Sequence, residues 1–174
     1  LLETGEQGAI LKEGIRTAII GRPNAGKSSL LNYLAGTERA IVTEIAGTTR
    51  DTLQESVRVR GIQLRLTDTA GIHETQDRVE KIGIERAKSA IGQSELVLYL
   101  IDASEGITPE DKSISLLLKQ WKNELPAVRK CILLLNKSDL PPVTDEKSVR
   151  EFFGEADAVL SCSLKTGEGA EELG

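Results

Sequence analysis

Gly21-Arg22-Pro23-Asn24-Ala25-Gly26-Lys27-Ser28 reads G-x-x-x-x-G-K-S, and its neighbours decide what that pattern means. The apolar run Thr17-Ala18-Ile19-Ile20 before it suits a buried strand, and Ser29-Leu30-Leu31-Asn32-Tyr33-Leu34 after it suits a helix. Strand, glycine loop and helix in that order aim backbone N–H groups and the positive helix end at one spot. That spot binds phosphate. Lys27 is expected to reach the outer phosphates and the Ser28 hydroxyl to ligate Mg²⁺, with Asn24, Ala25, Gly26 and Ser29 completing the loop. A plain glycine-rich turn accounts for the motif alone, but not for its place between strand and helix.

Two further motifs end apolar segments in the same way. Asp68-Thr69-Ala70-Gly71 follows the alternating stretch Ile62 to Leu66. An Asp at a strand end anchors the Mg²⁺ of such a site, here through water, and Gly71 lets a backbone N–H approach the last phosphate. Asn136-Lys137-Ser138-Asp139 follows Cys131-Ile132-Leu133-Leu134-Leu135. Guanine presents its N1–H and N2 amino group side by side, and the Asp139 carboxylate can accept both. Adenine has no such donor pair, and a buried polar group left unpaired gives discrimination of roughly 10⁴–10⁵. Lys137 is expected to lay its methylenes along the base, and Asn136 to tie this loop to the phosphate loop. Ser163-Leu164-Lys165, after Ala158-Val159-Leu160, is expected to offer a backbone N–H to the guanine carbonyl. Taken alone, an ordinary loop before a last helix explains that tripeptide almost as well. The ligand read from these motifs is GTP or GDP.

The four motifs in this order resemble the Ras-like superfamily of P-loop GTPases. Gly47-Thr48-Thr49-Arg50-Asp51, preceded by Ala40 to Ala46, and the stretch Asp77 to Ala87 narrow the likeness. Both are similar to the G domain of the MnmE (TrmE) family of tRNA-modifying GTPases. Leu1-Leu2, Gly8, Leu11 and Gly14 look like that family's connection into its G domain. The resemblance covers nearly the whole chain. It implies a linker from a helical domain at 1–14 and a G domain at 15–174, excised from a protein that also carries a folate-binding domain.

Composition agrees with one globular domain. A chain of 174 residues, 39% apolar and 28% charged, can bury a core of ordinary size. No run approaches the length of a membrane span, and no charged-then-apolar start suggests export, so the expected setting is cytoplasmic. The net charge of −5 with 3% aromatics makes the chain a poor nucleic-acid binder by itself. Any tRNA would be held by other domains or a partner. Cys131 and Cys162 lack metal-ligand spacing and are expected to be buried free thiols. His73, the lone histidine, reads as a surface loop residue.

Strands are expected near Thr17–Ile20, Ser56–Arg60, Ile62–Thr67, Leu96–Asp102, Cys131–Asn136 and Ala158–Ser161. Helices are expected at Lys27–Ala35, Glu80–Gly92, Glu110–Lys122 and Glu146–Phe153, with a last one beginning near Glu168. Ser56–Arg60 and Ile62–Thr67 alternate and join at Gly61, which suits an antiparallel edge hairpin. The remaining runs suit central parallel strands covered on both faces. The fold class is α/β: a six-stranded, mostly parallel sheet of Ras-like P-loop GTPase type, with one antiparallel edge strand and helices on both faces.

Ras-like enzymes place Gln directly after D-x-x-G to orient the attacking water. Ile72 stands there, and an aliphatic chain cannot hold water. The resemblance implies that Glu80, further along switch II, does this instead; from the residues alone, a solvated charge at a helix start fits as well. No arginine finger is evident. Arg50 is either such a finger or an ion-pair partner of Asp51 or Glu44. The Asn24 amide oxygen suits K⁺, and the resemblance implies K⁺ held by Asn24 with the carbonyls of Thr43 and Ile45. It implies Thr49 in the Mg²⁺ shell and contacts from Gly47 and Thr48 to the water. The expected activity is K⁺-dependent GTP hydrolysis with switch regions that dimerise when GTP is bound. In the intact family this serves tRNA wobble-uridine modification with the partner MnmG. A Der- or Era-like ribosome-assembly GTPase is the alternative enzyme, opposed by Asp77 to Ala87 and by the leader Leu1 to Gly14. A slow GTP-binding switch module is the alternative class, favoured by Ile72 and opposed by Glu80.

Overall fold

The computed structural model describes residues 13–22, 25–37, 41–42, 55–67, 83–154 and 156–173. These form strands β1 (Ile15–Gly21), β2 (Ile41–Val42), β3 (Glu55–Val59), β4 (Ile62–Thr67), β5 (Leu96–Asp102), β6 (Lys130–Asn136) and β7 (Ala158–Ser161). The helices are α1 (Lys27–Thr37), α2 (Gly83–Gly92), α3 (Pro109–Glu124) and α4 (Glu146–Phe152).

One seven-stranded sheet results, in the order β2-β3-β4-β1-β5-β6-β7. β4, β1, β5, β6 and β7 pair in parallel, and β3 runs against both of its neighbours. All six expected strands are present. The addition is β2, which pairs only Ile41 with Ser56 and Val42 with Glu55 and so sets β3 one place in from the edge. Two paired residues carry too little periodicity to be read from sequence. The expected hairpin turns at Arg60 and Gly61, both at positive φ (48° and 82°), the type I′ geometry that matches strand twist.

Period-2 alternation splits the core between the two faces. On β5, Val97, Tyr99 and Ile101 join one cluster with Ala90 and Ile91 of α2, Ile114, Leu118 and Trp121 of α3, and Val149 of α4. Leu98 and Leu100 face the other way, with Leu30, Leu31 and Leu34 of α1, and Leu64 and Leu66 of β4. Each fully buried leucine contributes about 1.5–3 kcal/mol relative to exposure, so this two-faced burial holds the parallel strands at the centre. Both cysteines are buried and free. Burial pushes their thiols up, Cys131 to about 12 and Cys162 to about 11. Among the described residues, the start of a last helix expected near Glu168 is instead a 3₁₀ turn at Ala170–Leu173.

Candidate nucleotide-binding site

Parallel pairing brings several strand ends to one place. Gly21 ends β1 opposite Leu100, Asp102 ends β5 opposite Asn136, and Leu135 pairs with Ser161 at the end of β7. β4 also pairs in parallel with β1 and ends at Thr67. Ligands of open α/β sheets sit beyond such carboxyl ends.

The phosphate loop is shaped by contacts within it and beneath it. Ala25 N–H donates to the Arg22 carbonyl at 3.1 Å, and Leu30 N–H to the Gly26 carbonyl at 2.9 Å, starting α1. Gly26 has φ +110°, and a Cβ there would lie 2.2 Å from Asn136 Nδ2. Only glycine fits, for backbone and space alike. Lys27 is the first residue of α1, half-buried, with Ser28 and Ser29 exposed beside it. The Arg22 guanidinium turns toward Glu105, at 3.1 Å, and Glu110, at 3.9 Å.

Asn136 joins three loops. Its Nδ2 donates to the Ala25 carbonyl at 2.8 Å, and its Oδ1 accepts Leu164 N–H at 3.0 Å. The expected tie between the base loop and the phosphate loop is therefore present. Leu164 N–H, expected to serve a guanine carbonyl, is engaged by Asn136 here, so Lys165 carries the next backbone donor along. Ser163 is fully buried; its Oγ donates to Asp139 Oδ1 at 2.7 Å and accepts Thr166 N–H at 3.2 Å. Asp139 is exposed, held at one oxygen by that hydroxyl.

Lys137 adopts φ +64°, the left-handed region that non-glycine residues rarely enter. That turn separates Asn136, aimed at the phosphate loop, from Asp139. Lys137 Nζ donates to Asp102 Oδ2 at 2.5 Å. Asp102 Oδ1 accepts the backbone N–H of Ser104 at 2.9 Å and its hydroxyl at 2.5 Å. Burial alone would raise the Asp102 carboxyl, but the hydrogen bonds from Lys137 and Ser104 outweigh it and hold the group below its usual value. Asp102 was not expected from sequence as a site residue. Its signal was available: a lone acid closing the apolar run Leu96–Ile101 at a strand's carboxyl end.

The loop carrying Asp102 is fixed at its far end too. Asp111 accepts Thr108 N–H at 2.7 Å and its hydroxyl at 2.9 Å, closing the first turn of α3. The buried Tyr99 hydroxyl donates to the other Asp111 oxygen. Burial, with the Asp111 charge adding to it, pushes that hydroxyl far above its ordinary value.

Ala25, Gly26, Lys27, Ser28, Ser29, Asn136, Lys137, Asp139, Ser163, Leu164 and Lys165 thus gather at one end of the sheet. Asn24, Thr43, Ile45, Gly47, Thr48, Thr49, Asp68, Gly71 and Glu80 lie outside the described residues, as do Arg50, Ile72 and His73. Among the described residues no group of three or more His, Cys, Asp or Glu gathers as a metal site. No described helix is long and apolar enough to cross a membrane.

Fold and site together define a P-loop GTPase domain. Residues 16–137 match the family model described as 50S ribosome-binding GTPase, and the chain belongs to that GTPase family. The tRNA modification GTPase MnmE of Lactobacillus delbrueckii subsp. bulgaricus is 50% identical over 173 residues, 99% of this chain and 35% of that protein. The resemblance read from the sequence is borne out by that similarity. The G domain of the Thermotoga maritima FeoB iron transporter superposes with TM-score 0.54 at 26% identity, covering 91% of this chain and 93% of that one. Translation elongation factor SelB of Methanococcus maripaludis, solved with the GTP analogue GppNHp, shares the fold at TM-score 0.60 and 19% identity, over 92% of this chain and 32% of that one. The chain spans about a third of the length of the curated relatives it matches.

Proposed function

We propose that this chain is the guanine-nucleotide-hydrolysing part of a larger tRNA-modifying GTPase, with residues 1–14 leading in from another domain. The observation that carries the reading is the Asn136 side chain, bonded at once to the phosphate loop and to the Ser163–Lys165 loop. It ties the two loops into one frame, and the Ser163 hydroxyl donates to one oxygen of Asp139, which supports Asp139 as the acceptor for guanine. The tRNA part rests on relatives about 50% identical whose names say tRNA modification. The chain's own net charge of −5 supports leaving tRNA contact to other domains or to a partner, which the resemblance gives as MnmG.

Mg²⁺ fits an all-oxygen set of the Ser28 hydroxyl, Thr49 and water held by Asp68, since hard cations take such ligands. Ser28 is exposed in the first turn of α1, and β4 ends at Thr67 beside β1, whose end leads into the same loop. When bound, Mg²⁺ offsets charge on the outer phosphates. K⁺ suits the amide and carbonyl oxygens of Asn24, Thr43 and Ile45, and when bound it supplies the positive charge that an arginine finger supplies elsewhere. Glu80 orients the attacking water, and Gly47 and Thr48 contribute contacts to that water. Two copies meet through their switch regions when GTP is bound, and that meeting organises the K⁺ and water contacts.

The test is GTP turnover in K⁺ against Na⁺ at protein concentrations high enough for dimers. K⁺ should accelerate wild type, and Asn24→Ala should abolish the difference while nucleotide binding mostly survives. A wild-type rate indifferent to K⁺ counts against the cation. A ribosome-associated role is the second reading, favoured by the family description. Cosedimentation with 50S subunits only when GTP is bound would support it.

A further inference from the structure

We infer that Asp102 is a positioning residue for guanine-nucleotide binding, acting by holding Lys137 in its left-handed turn with the side chain directed along the base. The inference rests on the guanine reading of Asn136-Lys137-Ser138-Asp139 and adds a residue from outside every nucleotide motif.

Lys137 is one of two non-glycine residues at positive φ among those described; the other, Arg60, lies in an exposed hairpin turn. Such a conformation persists where surrounding structure over-determines it. Neighbouring hydrogen bonds account for part of this: Ser138 N–H donates to the Cys162 carbonyl at 3.1 Å, and Leu140 N–H to the Lys137 carbonyl at 3.0 Å. They fix the backbone but leave the four-carbon side chain free to choose among rotamers. Asp102 makes that choice. Its side chain is 5% exposed and that of Lys137 is 31% exposed, so the pair is largely withdrawn from solvent screening. The carboxylate is itself immobile, because its second oxygen takes two donors from Ser104. Register supplies the rest. Asp102 and Asn136 are paired neighbours at the ends of β5 and β6, so the acid lies beside the strand from which the base loop departs. An ammonium held from below leaves its methylenes exposed above as a flat apolar surface, which is what a purine ring stacks on. Ordering that chain in advance removes an entropic cost that would otherwise fall on nucleotide binding.

The experiment measures GDP, GTP-analogue and ADP affinity for the 174-residue chain by fluorescence of labelled nucleotides, with steady-state turnover alongside. Asp102→Asn keeps the acceptor for Ser104 and loses the charge facing Lys137. It should weaken GDP and the GTP analogue equally, by roughly 10–100-fold, the worth of one hydrogen bond to a charged group. KM should rise while kcat at saturating GTP changes little, a split that general loosening of the fold would not produce. In a Lys137→Met background, Asp102→Asn should cost nothing further, because the acid acts only through the lysine. Ser104→Ala, which loosens Asp102 and keeps the ion pair, should give a smaller loss in the same direction, and serves if Asp102→Asn does not fold. Wild-type GDP affinity in both Asp102→Asn and Ser104→Ala overturns the assignment, as does a full Asp102→Asn loss in the Lys137→Met background. A wild type that binds ADP as tightly as GDP overturns the guanine reading itself.

Discussion

Asn136 Nδ2 donates to the Ala25 carbonyl at 2.8 Å, closing a contact across 111 residues of chain. Both residues are buried, and the same amide accepts Leu164 N–H through its oxygen. One side chain therefore keeps the phosphate loop, the base loop and the loop after β7 from moving independently. An amide suits this position because it donates and accepts at once; a carboxylate could only accept.

Asn136→Ala should leave the Ala25 carbonyl and Leu164 N–H without this partner. Stability should fall by about 1–3 kcal/mol, the penalty for stranding a buried polar group. GDP and GTP should both bind more weakly, because the two halves of the site lose their common frame. Urea denaturation and nucleotide titration check the two effects on the same sample. An unaltered denaturation midpoint would contradict the bridging role.

Asp139→Asn tests base selection. Guanine would lose the carboxylate acceptor for two donors, and xanthine, whose extra carbonyl faces the new amide, would gain a partner. GTP affinity should drop by roughly 10²–10⁴, two hydrogen bonds to a charged group, while xanthosine triphosphate improves. Competition between the two nucleotides reads this directly. Equal GTP affinity for wild type and variant would sink the assignment.

Glu80 separates a role in hydrolysis from one in folding. As a mere helix-start charge it would contribute about 0.3–1 kcal/mol of stability and nothing to turnover. As the residue orienting water, Glu80→Ala should fold and bind GTP normally. Its K⁺-stimulated hydrolysis should fall by about 10²–10⁴, with dimerisation retained. Wild-type K⁺-stimulated turnover in the variant would falsify the role and return attention to Thr48, Arg50 and His73.

Asp157 gives a pH prediction remote from the site. It accepts Lys122 Nζ and Cys131 N–H, each at 2.8 Å, with Lys130 Nζ at 3.8 Å. Burial would raise its carboxyl, but the Lys122 and Cys131 hydrogen bonds, with the two lysine charges, hold it below 3.8. A lowered folded pKa contributes stability that is present above the unfolded value and lost as pH falls through the folded one. Wild type should therefore exceed Asp157→Asn in melting temperature at neutral pH, and the gap should close below about pH 4. GTP turnover at neutral pH should be unchanged. A gap that stays constant into acid would contradict the ion-pair account.

Leu96–Asp102 and Ala158–Ser161 are strands with the limits that their apolar runs suggest. The phosphate-loop and base-loop residues were legible for a related reason: each motif is contiguous, and each follows its strand directly. β2 and the 3₁₀ turn at Ala170–Leu173 were not legible, because two or four residues hold only about one period of a strand or helix pattern, and a single period does not repeat.

Residue types along the chain determined the class of protein, since a strand, a glycine loop and a helix are enough to make a phosphate cradle wherever they occur together. Tertiary structure alone decided which side chains meet across it. Arg22 meets Glu105 at a separation of 83 residues, Lys137 meets Asp102 at 35, and Ser163 meets Asp139 at 24. Sequence order does not set these pairs. The first two follow from β5 lying between β1 and β6 and from a register that stops Asp102 beside Asn136, and the third from β7 pairing with β6 so that Ser161 lies opposite Leu135. That register is held by burying Val97, Tyr99 and Ile101 on one face of the sheet and Leu98 and Leu100 on the other; a slip of one residue would exchange every one of them.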